Sequence, residues 1–331
     1  MINNKLILII LAILVGASAL IFFVTPPANK EVRHYKIGIL VRGNTYKPGV
    51  EGFLAKMKEF GYEEGKNVTY LLRFVDKKED LPGVIAEFLK EKVDIIHTYS
   101  TPATVEAYKQ TKTTPIVFGS MGDPLASKVI KSLQKPETNV TGVSSLSAPL
   151  VTKRLEFLKE AVPSIRIIAF PFTPEDIAGK SSYDHVLIAA KKLGVEIAPY
   201  FVSKDRDVKA TAAAILRKDV DGIVISSDSA VWAALPSYVE QAKKERLPFA
   251  VFDKDMVEKG GLLGYGPDYF ITGGQSAVFV DKILKGANPA DLPVENPDKL
   301  ILVVNLKTAR DIALKLPNSF LLKADKIYGE E

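Results

Sequence analysis

The chain has 331 residues, 47% hydrophobic and 25% charged, a globular composition that excludes disordered, collagen-like and coiled-coil architectures, and its length suits about two domains. Forty-four Lys plus Arg against 39 Asp plus Glu leave a net charge of +5, a small excess that reads as a solvated surface rather than a nucleic-acid footprint. The absence of cysteine excludes disulfides, zinc ribbons, iron–sulfur clusters, thiol nucleophiles and a lipoprotein anchor through an N-terminal Cys.

Residues 6–24, LILIILAILVGASALIFFV, carry no charge, and as a helix rising about 1.5 Å per residue they reach about the 30 Å of a hydrocarbon core. Ala17, Ser18 and Ala19 have the small-x-small form of a cleavage site. The apolar run continues past them through Leu20 to Val24, so the segment reads as an uncleaved signal-anchor rather than a cleaved signal peptide. Lys5 precedes it and Lys30 and Arg33 follow, so flanking charge does not orient it; the signal-like start places the remainder outside the cytoplasm, in the periplasm or at the cell surface. Residues 1–34 are therefore expected to be signal-anchor and linker, extended at Pro26 and Pro27.

Beyond the linker, strands alternate with helices. YKIGILV at residues 35–41 is a short apolar run, after which Val50, Phe53, Leu54, Met57 and Phe60 recur at helical spacing. The unit repeats as strand 67–74, helix 81–91 with Pro82 in its first turn, strand 93–99, helix 102–110, strand 115–118 and helix 124–132. A second series follows the polar passage 135–141: helix 150–161, strand IRIIAF, helix 177–193, strand VEIAPYFV, helix 208–217, strand VDGIVIS, helix 231–244, and strands at 248–252 and 261–266. The tail departs from alternation, with helix 269–285, a connection through Pro289, Pro293 and Pro297, strand LILVV and helix 307–314. This order predicts the α/β class: two doubly wound parallel-sheet lobes, each covered by helices on both faces, whose strand C-termini surround a shared cleft.

Short polar residues follow each predicted strand, where a ligand in that cleft would be touched. Asn44 and Tyr46 follow the first strand, Ser100 and Thr101 the third, and Asp123 the fourth; Phe172, Thr173, Asp228, Ser229, Asp253 and Tyr265 hold the equivalent places in the second series. Each has two readings. Ser100 and Thr101 before Pro102, and Asp123 before Pro124, are either helix caps or contacts for an anionic group at a helix N-terminus. Asp228 either accepts from a ligand ammonium or hydroxyl or caps the next helix, and Tyr46, Phe172 and Tyr265 either stack on a flat ligand or fill the core. Catalytic patterns are missing. The three histidines, His34, His97 and His185, are widely spaced, His97 reads as a core residue, and there is no phosphate-binding loop, nucleophile elbow, zinc motif or dinucleotide fingerprint. No catalytic residue, cofactor or metal is expected.

Several motifs carry a family resemblance. Gly61, Tyr62 and Glu64-Gly65-Lys66-Asn67-Val68 are followed by Thr101-Pro102-Ala103, Asp123-Pro124 and Asn139-Val140-Thr141-Gly142-Val143-Ser144. The most specific stretch is C-terminal: Tyr265-Gly266-Pro267-Asp268-Tyr269, Pro289-Ala290-Asp291-Leu292-Pro293 and Asn305-Leu306-Lys307-Thr308-Ala309. In this order they resemble the ABC-transporter substrate-binding family that includes tryptophan- and tyrosine-type binding proteins, with a type I periplasmic-binding fold. The resemblance implies a multi-strand hinge crossed near Val143, near Gly266 and after Asn288. Lobe 1 would then comprise residues 35–143 plus 267–288, and lobe 2 residues 144–266 plus 289–331. It further implies Ser144 as a ligand contact beside the loop residues above. Members with a known amino-acid ligand carry Asp-Asn-Thr where this chain has Asp228-Ser229-Ala230, so the ligand class implied is a small polar molecule, an amino acid among them. The expected partners are that ligand, an ABC permease with its ATPase, and a membrane through residues 6–24, for a monomer that binds no nucleic acid and is not an enzyme. A membrane-anchored sensor ectodomain of the same fold is the alternative.

Overall fold

The computed structural model describes residues 33–202 and 207–329. The expected span at residues 6–24 lies outside them, and among the described residues no helix is long and apolar enough to cross a membrane.

The first half of the chain runs β1 (Tyr35–Arg42), α1 (Lys47–Glu59), β2 (Val68–Val75), α2 (Leu81–Lys90), β3 (Ile95–Tyr99), α3 (Thr101–Gln110), β4 (Ile116–Ser120) and β5 (Val140–Gly142). These strands form one parallel sheet in the order β2-β1-β3-β4-β5. In β1, Ile37, Ile39 and Val41 enter one apolar cluster and Leu40 the opposite one, which is why the run reads as continuous rather than alternating. The expected helix at 124–132 is absent. The chain makes turns there, because Lys128 adopts φ 55° and ends the coil after one turn, while Val129 and Ile130 are buried against the outer face of the sheet.

The chain then crosses to a second sheet through α4 (Val151–Ala161), β6 (Ile167–Phe172), α5 (Ile177–Leu193), β7 (Glu196–Phe201), α6 (Val208–Ala213), β8 (Gly222–Val224), α7 (Ser229–Ala233), α8 (Leu235–Lys244), β9 (Phe249–Val251), α9 (Lys254–Glu258) and β10 (Leu263–Pro267). Pro236 sits in the first turn of α8, and the helix expected over 231–244 is divided just before it. Helix α10 (Tyr269–Leu284) returns to the first sheet and packs on α1, and the chain crosses again to β11 (Leu300–Asn305), α11 (Leu306–Asp311), α12 (Asn318–Leu321) and β12 (Lys326–Tyr328). The second sheet is ordered β12-β11-β10-β9-β8-β6-β7, parallel except for the antiparallel pair β10 and β11.

Residues 289–295 run beside β5 before reaching β11. Thr141 Oγ1 donates to the Leu292 carbonyl at 2.8 Å, and across a parallel bridge between Val143 and Glu295 the Ser144 N–H donates to the Glu295 carbonyl at 2.9 Å and the Glu295 N–H to the Gly142 carbonyl at 3.1 Å. In both sheets the chain starts mid-sheet and reverses, between β1 and β3 and between β6 and β8. Those are the switch points at which an α/β sheet opens a crevice beyond its strand ends.

Candidate functional site

The strand ends at both switch points meet. From the first sheet, the turn after β1 delivers Tyr46, β3 ends at Tyr99, and β4 ends at Ser120. Tyr46 is buried, with its ring centroid 6.0 Å from Tyr99, 5.3 Å from Tyr269 at the start of α10, and 6.0 Å from Trp232 on α7. Trp232 leans on Phe252 at 4.2 Å, and its Nε1 donates to the Ser226 carbonyl at 2.6 Å. The Arg154 guanidinium lies 3.6 Å over the other end of this group, on the Phe252 ring. A continuous aromatic contact therefore links the two sheets.

Within this group five buried polar atoms make no hydrogen bond among the described residues: Tyr99 Oη, Ser120 Oγ, Arg154 Nη1, Asp253 Oδ2 and Tyr269 Oη. Unpaired buried polar atoms are uncommon, and each costs about 1–3 kcal/mol. Their gathering at one place, from both sheets, marks it as a site prepared for a polar partner. Burial pushes the phenols of Tyr46, Tyr99 and Tyr269 well above their ordinary range, so all three stay protonated and can donate. Ser120 lies near the hydroxyls of Tyr46 and Tyr269 without reaching hydrogen-bond geometry.

Around this centre the caps hold the strand ends in place. Ser100 adopts φ 103°, a strained conformation for a residue with a Cβ, its N–H donates to the Ser120 carbonyl at 3.1 Å, and its Oγ accepts from Ala103 N. Thr101 Oγ1 accepts from Gly122 N at 3.1 Å. Asp228 has both oxygens engaged: Oδ2 accepts from Thr173 N at 2.7 Å and Oδ1 from Ala230 N at 2.7 Å. Asp123 reaches across, its Oδ2 accepting from Ser181 Oγ on α5 at 2.6 Å, so the two sheets are held together at the cleft edge.

Comparison with known proteins gives this arrangement a family. Residues 36–328 match the model of the ABC transporter substrate binding protein family. The chain belongs to the ABC transporter substrate-binding proteins. It is similar to a tyrosine-binding protein of Clostridioides difficile, 25% identical over 304 residues that cover 90% of this chain and 87% of that one. A conserved domain protein from Vibrio cholerae superposes with a TM-score of 0.84 at 28% identity, covering 89% of this chain and all of that one. An ABC domain in complex with L-Trp from Streptococcus pneumoniae superposes with a TM-score of 0.83 at 24% identity, over 89% and 99% of the two chains. These matches establish the α/β fold with mainly parallel sheets.

For this substrate-binding protein, the sequence-predicted positions divide into groups. Tyr46 and Asp253 join the central group, Ser100, Thr101 and Asp123 cap or bridge around it, and Asn44 is exposed at the mouth, lining a groove with Arg42, Trp232 and Lys259. Ser144 sits in the first crossing, its Oγ donating to the Met121 carbonyl at 3.2 Å and accepting from Leu146 N. Thr173 offers its N–H to Asp228, and Ser229 is the first residue of α7. Phe172 is turned away: it stacks on Tyr183 at 4.6 Å and meets Phe201 in the core outside the second sheet. Tyr265 also packs outward, edge-on to Phe157 at 5.1 Å. His97 is a buried core residue, stacked on Phe53 and bonded through Nε2 to Ser276 at 2.9 Å. The residues not predicted are Tyr99, Ser120, Arg154, Trp232, Phe252 and Tyr269. Arg154 alone left a signal, a charge within the apolar stripe of Val151, Leu155 and Leu158.

Burial pushes the Asp253 carboxyl up to about 6; Asp176, which caps α5, also rises to about 6, from burial first and then from Asp228. A carboxyl raised in the folded state binds its proton more tightly there than in the unfolded chain. Its contribution to stability is therefore present in acid and lost as pH rises through about 4 to 6, the sign set by the extra proton held by the folded state. At about 1.36 kcal/mol per pH unit the loss for Asp253 is at most on the order of 3 kcal/mol. In urea unfolding of the ligand-free chain at stepped pH, Asp253→Asn should lack this part of the decline; parallel profiles for the two chains would contradict it.

Proposed function

We propose that this chain is the extracytoplasmic capture component of an ABC uptake system, holding a small polar ligand of the amino-acid class in the cleft between its two sheets. The observation that carries the reading is the convergence of unpartnered buried hydroxyl, carboxylate and guanidinium groups from both sides on one aromatic-walled place. Amino-acid ligands are supported by the names of two similar proteins, one tyrosine-binding and one with L-Trp bound. Lobe 1 is taken as residues 35–143 plus 267–288 and lobe 2 as 144–266 plus 289–331, the lobes closing on the ligand because it makes contacts that an open cleft lacks. The closed form then delivers the ligand to a permease and its ATPase, with residues 6–24 tethering the binder at high local concentration.

Trp232 is the sole tryptophan and stands where the lobes meet, which makes its fluorescence a reporter of closure. Titration with L-tyrosine should change its emission saturably, and ligand at about 100 times its dissociation constant should add roughly 2.7 kcal/mol of stability in a thermal melt. A response to sugars or nucleosides with none to any amino acid would refute the ligand class. Ser181→Ala removes a hydrogen bond that spans the cleft edge, so affinity measured by the same titration should fall about tenfold for roughly 1.4 kcal/mol.

A further inference from the structure

Arg154 is fully buried on α4, yet its partners are all neutral. Nε donates to the Tyr265 carbonyl at 3.1 Å, Nη2 donates to the Ser147 carbonyl at 2.5 Å, and the planar group rests on Phe252. Ser147 and Tyr265 belong to the segments around the first two crossings between the sheets, so this cation is pinned at the base of the cleft. An unpaired buried ion carries a penalty of several kcal/mol, and arginine cannot shed its charge to escape it. Its two hydrogen bonds and the ring fix the fork, which leaves Nη1 as the one guanidinium nitrogen without a partner among the described residues. Facing it electrostatically are Tyr269 and Asp253.

Asp253 shows the complementary pattern. Oδ1 caps α9 by accepting from Met256 N at 2.9 Å, while Oδ2 is buried without a partner. We propose that Arg154 and Asp253 are the charge-reading pair of the cleft, Arg154 Nη1 receiving the carboxylate and Asp253 Oδ2 the ammonium group of one zwitterionic ligand. This rests on the reading of the cleft as the capture site and adds which charges the ligand must carry. Tyr269 and Ser120 have hydroxyls without a partner among the described residues for the remaining lone pairs, and the contacting rings of Tyr46 and Trp232 supply apolar surface beside them. The two charges are unequal in what they tolerate. Asp253 can take up a proton when no ammonium arrives, whereas Arg154 without a carboxylate stays an uncompensated buried cation. The site therefore rejects amines more strongly than it rejects carboxylic acids.

The test is calorimetric titration of the full chain with L-tyrosine, its deaminated analogue 3-(4-hydroxyphenyl)propionate, and its decarboxylated analogue tyramine. The expected order of affinity is tyrosine, then the propionate about tenfold weaker, then tyramine at least about 100-fold weaker, as for a site whose buried polar groups lose their partner. Arg154→Gln should weaken tyrosine strongly and bring tyramine level with it. Asp253→Asn should bring the propionate level with tyrosine and supplies a second variant should the first fail to fold. Equal binding of tyrosine and tyramine to the unaltered chain overturns the charge pair while leaving amino-acid capture standing. A thermal shift with a sugar or nucleoside and none with tyrosine overturns both.

Discussion

Gly273→Ala should destabilise the chain by at least about 3 kcal/mol, beyond the usual range for a small-to-large change in a packed interior. A Cβ at Gly273 would stand 1.9 Å from the Gly49 carbonyl oxygen and 2.7 Å from its carbon, and one at Gly52 would stand 1.9 Å from the Phe270 carbonyl oxygen. The opposing atoms are helix backbone, so no rotamer change relieves the contact. Helices α1 and α10 must separate by about 1 Å to restore the roughly 3.0 Å that real Cβ atoms keep. Because α10 begins at Tyr269, which touches Tyr46, that separation also loosens the cleft. The expected drop in melting temperature is at least roughly 5 °C. Gly83→Ala is the control: nothing lies within 4 Å of its Cβ position, it occupies a helix, and it should gain a few tenths to about 1 kcal/mol. Equal melting of the two variants would contradict the close approach of α1 and α10.

Asp228→Ala should cost about 3–6 kcal/mol, from two buried charge-assisted hydrogen bonds at about 1.5–3 kcal/mol each. The carboxylate joins the end of β6, through Thr173 N, to the start of α7, through Ala230 N, and so holds both sides of the second sheet's switch point. Its loss leaves these backbone donors without an acceptor inside the fold. Asp228→Asn retains one acceptor oxygen and should recover about half the loss. Denaturant unfolding checks the stability, and tyrosine titration checks the cleft. If Asp228→Ala weakened binding without any fall in stability, the residue would be a ligand contact rather than the strut its geometry describes.

Much of the fold was legible because burial leaves a period. The continuous apolar runs of β1, β3 and β6, separated by stretches of helical spacing, predicted strands, helices and a doubly wound parallel arrangement, and the ordered motifs pointed to the family. The failures have local causes: Lys128 at positive φ turned 124–132 away from a helix, and Pro236 split another. Tyr46, Ser100 and Asp253 lie at strand ends, as their places after the apolar runs predicted.

What one dimension could not supply was which way each strand end faces. Phe172 and Tyr46 are both aromatic residues near strand ends, yet one stacks on Tyr183 outside the second sheet while the other, from the first sheet, touches Trp232 on α7. The amino-acid sequence by itself determined the alternation, the class, the family and the candidate loops, since these rest on periodicity and on residue types adjacent in the chain. Only the tertiary structure brought Arg154, Asp253, Ser120, Tyr99 and Tyr269 to one place and left a polar atom of each unpaired. The physical reason is that hydrogen-bond satisfaction is a property of three-dimensional neighbours, and those neighbours come from helices and strands as far apart in the chain as Tyr99 and Tyr269.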